Sequence, residues 1–217
     1  MISENIAFNG PMGTIEGKLI TPTEGGNFPG VVICHPHSMM GGNMDNNVVL
    51  GISSVLTERG YGCLIFNFRG VGKSQGKFDD GLGEVDDTLA AISFLASINN
   101  IDPSRIFLVG YSFGAGVAMN AASNTDINKG LALIGRARVD DIDIVKQRPE
   151  MPILFVVGDR DRIMSADEHK NLIAELDIEP VLSILTGTDH FLLGMEKQVG
   201  ETVADFFDQI PSRNSSQ

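Results

Sequence analysis

Seven short strand-like runs, separated by longer stretches of helical periodicity, constrain this sequence more than any other feature. Residues Gly13 to Thr21 alternate apolar and polar. Gly30 to Pro36 and Tyr61 to Phe68 are nearly continuous apolar runs, as expected of strands covered on both faces. Arg105 to Gly110, Gly130 to Gly135, Pro152 to Gly158 and Pro180 to Gly187 repeat the theme. Between them lie helical patterns. One spans residues 46–60 and ends at Gly60, placed to cap it. A second, residues 83–97, puts Val85, Leu89, Ile92, Leu95 and Ala96 on one face and acids in its first turn, where the helix dipole favours them. A third opens with Ser165 three residues before Glu168, a capping box, and a fourth, residues 198–210, closes the pattern. Strands alternating with helices of this length specify a mostly parallel, doubly wound sheet. Ligands bind such sheets outside the carboxyl ends of the strands.

A length of 217 residues suits a single domain, residues 1–210, with residues 211–217 a flexible tail. The formal net charge of −12 repels phosphate backbones and anionic lipid, so neither nucleic acid nor a membrane surface is expected as a partner. Cys34 and Cys63 sit inside apolar runs and read as buried, inert thiols, not as a disulfide framework or a zinc site. No apolar run is long enough to span a bilayer, and the first residues lack the charge and apolar core of a secretory signal. A cytoplasmic address is therefore expected.

Ser112 stands where a strand pattern turns directly into a helix pattern, in the stretch Gly-Tyr-Ser-Phe-Gly from Gly110 to Gly114. A strand-to-helix turn this sharp forces the serine into a strained backbone, and side chains two residues either side would collide with neighbouring chain. Glycines 110 and 114 remove that collision. The helix start behind Ser112 favours negative charge, and the Phe113 amide is placed to meet a developing oxyanion.

A serine nucleophile needs a base and an acid to orient it. Nucleophile elbows of this kind run in the chain order serine, acid, histidine. Of the four histidines, only His169 and His190 come late enough. His169 falls in the polar stretch Ala-Asp-Glu-His-Lys and reads as a solvated helix position. His190 follows the last strand across a short loop, where the base should lie. The acid should follow the preceding strand. Asp161 has the better reach across to His190, Asp159 suits a turn-stabilising role, and Asp140 is a distant third. The loop after the Gly30 to Pro36 strand should supply a second oxyanion donor, by position the amide of His37, with Gly41 and Gly42 permitting close approach. His35 reads as a loop-fixing hydrogen-bonder. Met39 and Met40, with Met44 and Phe113, are candidates to line an adaptable substrate pocket.

The segments 35–49, 66–87, 110–116, 158–163 and 188–192 together resemble the α/β-hydrolase superfamily, above all its small lidless members called dienelactone-hydrolase-like or serine-aminopeptidase-like. The resemblance covers nearly the whole chain. It implies an α/β-hydrolase fold: a mostly parallel, doubly wound eight-stranded sheet in three α/β/α layers with a minimal lid or none. It also implies Ser112, Asp161 and His190 as triad and the amides of His37 and Phe113 as oxyanion hole. Two departures stand out. Ser38 occupies the place of a proline in the relatives' loop. Dienelactone hydrolases proper use a cysteine nucleophile where this chain has serine, so their activity is not implied.

The interval from Val139 to Met151 leaves room for a short helix at most, so the site should be open. Residues 66–76 superficially mimic a phosphate-binding loop, but Asn67 stands where that motif needs glycine, and no helix signal follows Lys73-Ser74. The His35-Pro36-His37 pair mimics a metal-binding H-x-H, but further ligands from later strands are lacking. The expectation is a serine hydrolase cleaving a small carboxylic ester, thioester or amide, with no cofactor and no metal. The alternative is a hydrolase fold kept as a non-catalytic binding module. The oligomeric state is not readable from the chain.

Overall fold

The computed structural model describes residues 1–136, 148–176 and 178–211. Its strands are β1 (Ile2–Gly10), β2 (Gly13–Thr21), β3 (Phe28–Cys34), β4 (Gly62–Phe66), β5 (Ile101–Tyr111), β6 (Asn128–Ile134), β7 (Ile153–Gly158) and β8 (Val181–Leu185). They form one 8-stranded sheet in the order β1-β2-β4-β3-β5-β6-β7-β8. The β1–β2 and β2–β4 pairs are antiparallel, and every pair from β4 through β8 is parallel. The helices are α1 (Asn47–Glu58), α2 (Leu82–Ala96), α3 (Phe113–Ser123), α4 (Ala166–Ala174) and α5 (Glu196–Asp208).

Period-two alternation sorts the sheet's side chains into two cores. Val32, Cys34, Leu64, Phe66 and Leu108 face α2, α3 and the segment around α4, where Ile92, Leu95, Ala118 and Leu172 meet them. Val31, Ile33, Cys63, Ile65 and Val109 face α1 and α5, against Val48, Ile52, Leu56, Val203 and Phe207. The result is three layers, α/β/α, of the α/β-hydrolase type. The central strands are apolar on both faces because helices cover both. Cys34 and Cys63 are unpaired and fully buried, and burial pushes each thiol up to about 12.

Local signals hold at the helix ends. Gly60 takes φ 93° just past α1, and the Tyr61 amide reaches back to the Leu56 carbonyl at 3.0 Å. The Ser165 hydroxyl accepts from the Glu168 amide at 3.2 Å, while Glu168 accepts from the Ser165 amide at 2.7 Å, closing the capping box of α4. β1 is absent from the sequence reading; it is an edge strand on which only Phe8 is buried.

One expectation changes here. His169 is fully buried, not on a solvated face. Its ring packs on Phe155 at 6.0 Å and its Nδ1 lies 3.0 Å from the Ser165 carbonyl, because α4 turns this position onto the sheet. α2 carries Glu84 in its first turn, as the sequence leads one to expect. Glu84 and Asp87 are fully buried, while Val85 and Leu89 are half-buried. Both acids are drawn inward by partners from the loop before the helix. Asp140, and most of the interval expected to hold at most a short helix, lie outside the described residues. Among the described residues no helix is long and apolar enough to cross a membrane.

Candidate active site

The carboxyl ends of the central strands carry the candidate residues. Ser112 closes β5 with φ 55°, a conformation that costs a non-glycine residue about 1 kcal/mol or more. A Cβ at Gly110 would run into the backbone of Gly114 and Ala115, and one at Gly114 would stand 2.5 Å from the carbonyls of Cys34 and His35. Both glycines are therefore required by close approach, one to the helix start and one to the end of β3. Ser112 makes no side-chain cap bond to α3, so its hydroxyl is not consumed at the helix start.

Instead the Ser112 Oγ lies 2.9 Å from His190 Nε2, and His190 Nδ1 lies 2.9 Å from Asp161 Oδ2. The other carboxylate oxygen, Oδ1, accepts from the amides of Ile163 at 2.8 Å and Met164 at 3.3 Å. This geometry sets the tautomer: Nδ1–H donates to the carboxylate and the Nε2 lone pair faces the hydroxyl. Asp161 and His190 are 4% and 6% exposed, so water does not compete for their bond. Burial alone would raise the Asp161 pKa. The hydrogen bond from His190, the two amides and the imidazole's charge outweigh it and hold the carboxyl below its ordinary value.

The surroundings keep the histidine in place. The Tyr111 hydroxyl donates to the His190 carbonyl at 3.1 Å, and its own pKa is pushed up to about 12 by burial and by the nearby Asp161 and Asp189. Gly135 takes φ 51°, and a Cβ there would crowd the imidazole at 3.4 Å. Asp159 accepts from the Gly187 amide at 2.8 Å, which ties the turn after β7 to the turn after β8. That is the turn-stabilising role its position suggests.

On the other side of Ser112, His37 opens the 3-10 turn Ser38–Met40. Its ring accepts from the Met39 amide at 3.2 Å and packs on Phe113 at 4.8 Å, and its carbonyl accepts from the Met40 and Gly42 amides. Among the described residues, nothing accepts from the amides of His37 and Phe113, so both remain available as donors beside the serine. Gly42 provides the close approach, since a Cβ would strike the Pro36 carbonyl. Gly41 contributes a left-handed turn at φ 85° in open space. His35 is fully buried. Phe68 N–H donates to its Nε2 at 3.1 Å and its Nδ1 faces the Pro36 carbonyl at 2.6 Å, so both nitrogens are committed to the loop and neither is left to ligate a metal. Burial pushes its pKa down to about 4. The buried Ser38 Oγ finds no partner among the described residues. Met39 and Met40 are exposed on the turn. Met44 is instead packed in the core beside Val48 and Ile52, because the loop folds back between His37 and α1.

Residues 69–81 escape a motif reading. Arg69, 5% exposed, donates from its backbone amide and Nε to Asp87 Oδ2 and from Nη2 to Oδ1, at 2.8 to 3.0 Å. Glu84 accepts from the amides of Asp79 and Gly81 at 2.9 and 2.8 Å. The Lys73 amide donates to Glu16, so this loop spends its donors internally, unlike a phosphate cradle. The fastened loop brings the Phe78 ring to 5.1 Å from His37 and 5.6 Å from Phe113, an aromatic wall beside the serine.

The fold and this strand-to-helix serine define an α/β hydrolase. The sequence pattern of the dienelactone hydrolase family matches residues 15–193, and the chain belongs to that family. An uncharacterized protein of Rickettsia prowazekii (strain Madrid E) is 37% identical over 216 residues, 95% of this chain and 90% of that protein. Among solved structures, an alpha-beta serine hydrolase homologue from Coxiella burnetii is 30% identical. The match covers 94% of this chain and 97% of that one, with a TM-score of 0.84. A serine hydrolase without lid from Xanthomonas campestris is 29% identical over 96% and 97% of the two chains, with a TM-score of 0.81. Membership makes the chain a hydrolase.

Proposed function

We propose that the protein hydrolyses a small carboxylic ester, thioester or amide through an acyl-enzyme on Ser112. His190 Nε2 takes the hydroxyl proton as Oγ bonds to the carbonyl carbon, and the carbonyl π pair moves to oxygen. The amides of Phe113 and His37 stabilise that oxyanion. As the carbonyl re-forms, the bond to the leaving heteroatom breaks with its electron pair, and the heteroatom takes the proton from His190. Water, deprotonated by His190, then releases the acid and restores Ser112. Asp161 holds the tautomer and stabilises the imidazolium. In this reading Met39 and Met40, exposed on the turn after His37, contact the substrate.

The observation that carries this reading is the continuous relay from Ser112 to His190 to Asp161, with both links at 2.9 Å. The test is labelling with a fluorophosphonate and turnover of p-nitrophenyl esters, acyl-CoA and aminoacyl amides. Ser112→Ala should leave the fold intact, lose labelling and lower kcat by about 10⁴–10⁶. A folded wild-type protein that neither labels nor turns over any of them contradicts the reading and favours a binding module.

A further inference from the structure

A groove of about 340 Å³ opens beside His190, lined by Arg160, Arg162, Ile163, Asp189, His190 and Phe191. None of its walls comes from the His37 turn or from the start of α3, so it lies on the base side of Ser112, away from the oxyanion donors. This division matters chemically. The group that departs must collect its proton from His190, so the leaving group lies toward His190 while the carbonyl oxygen points to the amides.

The groove's charge is out of character for this chain. The formal net charge is −12, and elsewhere Arg59, Arg69 and Arg148 each hold carboxylates. Arg160 and Arg162 flank Asp161 in sequence and are exposed, and neither has an ion-pair partner among the described residues. Asp189 is the one acid lining the groove. Its Oδ1 accepts from the Phe191 amide at 3.0 Å, within its own loop, so the arginines leave a positive balance. The exposed side chains of Phe191 and Ile163 line the same groove. Two cations in a partly apolar groove suit a molecule with an apolar portion and an anionic group, since guanidinium groups favour the planar oxygens of carboxylate and phosphate.

Resting on the hydrolase reading above, we infer that the leaving group of the substrate carries an anion, a carboxylate or a phosphate, bound by Arg160 and Arg162. The acyl group then lies on the opposite side, against the aromatic wall of Phe113 and Phe78.

The test compares substrates that differ only in the charge of one end. The butyrate ester of 4-hydroxybenzoate is set against that of 4-hydroxybenzamide, and the butyryl thioester of phosphopantetheine against that of pantetheine. These pairs separate carboxylate from phosphate. Monophenyl succinate against phenyl butyrate places the charge on the acyl side. Two exposed charge contacts predict about a tenfold preference in kcat/KM for the anionic leaving group of at least one pair. In the double variant Arg160→Gln/Arg162→Gln that ratio should fall to about one, and in wild type it should shrink as salt rises from about 20 mM to about 500 mM. Because each ratio is taken within one protein, a general loss of activity does not imitate the result. Equal kcat/KM for charged and neutral leaving groups, or a ratio that survives the double substitution, overturns the inference and leaves the Ser112 chemistry standing. A preference for the acyl-side anion that the double variant abolishes overturns the placement of the leaving group. No turnover of any of these substrates, with Ser112 unlabelled by the fluorophosphonate, overturns both readings.

Discussion

Asp161 and Asp87 are both buried carboxylates bonded to a nitrogen side chain. They lie on opposite sides of Ser112, one past β7 and the other facing the end of β4, each two strands from β5. Their partners set them apart. Asp87 spends both oxygens on Arg69, whose guanidinium does not give up its proton, so that pair is architecture: it fastens residues 69–81 and hence Phe78. Asp161 gives one oxygen to amides and the other to a histidine, whose second ring nitrogen faces the Ser112 hydroxyl. A buried acid alone is therefore ambiguous, and what its partner's remaining nitrogens face separates a brace from the proposed relay.

The sharpest way to break this comparison is Asp161→Asn. The amide donates where the carboxylate accepted, favours the wrong imidazole tautomer and should lower kcat on a p-nitrophenyl ester by about 10⁴ with the fold retained. A loss below tenfold would remove Asp161 from its role. Asp87→Ala should act on stability instead. It strands a buried guanidinium and should cost about 3–5 kcal/mol in urea unfolding, while the double variant Arg69→Met/Asp87→Leu recovers most of that. Failure of the double variant to recover would show that the pair does more than neutralise itself.

A pH series separates the histidines from the acids. The folded pKa of His35 is about 4, below its ordinary 6.5. As pH falls through that window the unfolded chain binds a proton that the folded chain refuses, so stability declines between pH 6.5 and about 4 and levels off below. The shift corresponds to about 3 kcal/mol. Burial lowers the His169 pKa as well, which adds to the same decline. Asp161 works in the other window. Its folded pKa is depressed, so its contribution is present above the ordinary carboxylate pKa and is lost only as pH falls through the lower folded value. Unfolding free energies that match at pH 7.5 and pH 4.5 would contradict the histidine part. The smallest expected effect is Glu84→Gln, which removes a charge at the start of α2 and one of two acceptor oxygens. It should cost about 1 kcal/mol by thermal unfolding, with kcat little changed.

Much of this site could be read before any coordinates. Ser112, Asp161 and His190 each sit directly after an apolar strand run, in an order that this kind of sheet imposes, and glycines 110 and 114 mark a backbone collision that only close packing creates. His169 could not be placed, because a polar neighbourhood in sequence does not say which way one helix position turns. That Glu84 and Asp87 are buried could not be read, because their partners, Arg69 and two loop amides, lie up to 18 residues away. Met44 looked like its neighbours Met39 and Met40, yet the loop's return toward α1 buries it.

The sequence by itself determined the alternation of strands and helices, the sharp turn at Ser112 and the positions of its two partners along the chain. These are local matters of periodicity, steric room for glycine and chain order. Only the tertiary structure decided which acids are buried, that His169 is enclosed, and that the two arginines flanking Asp161 share one groove. Those depend on contacts between distant segments, where burial and partner identity, not residue type, set what a charged group does.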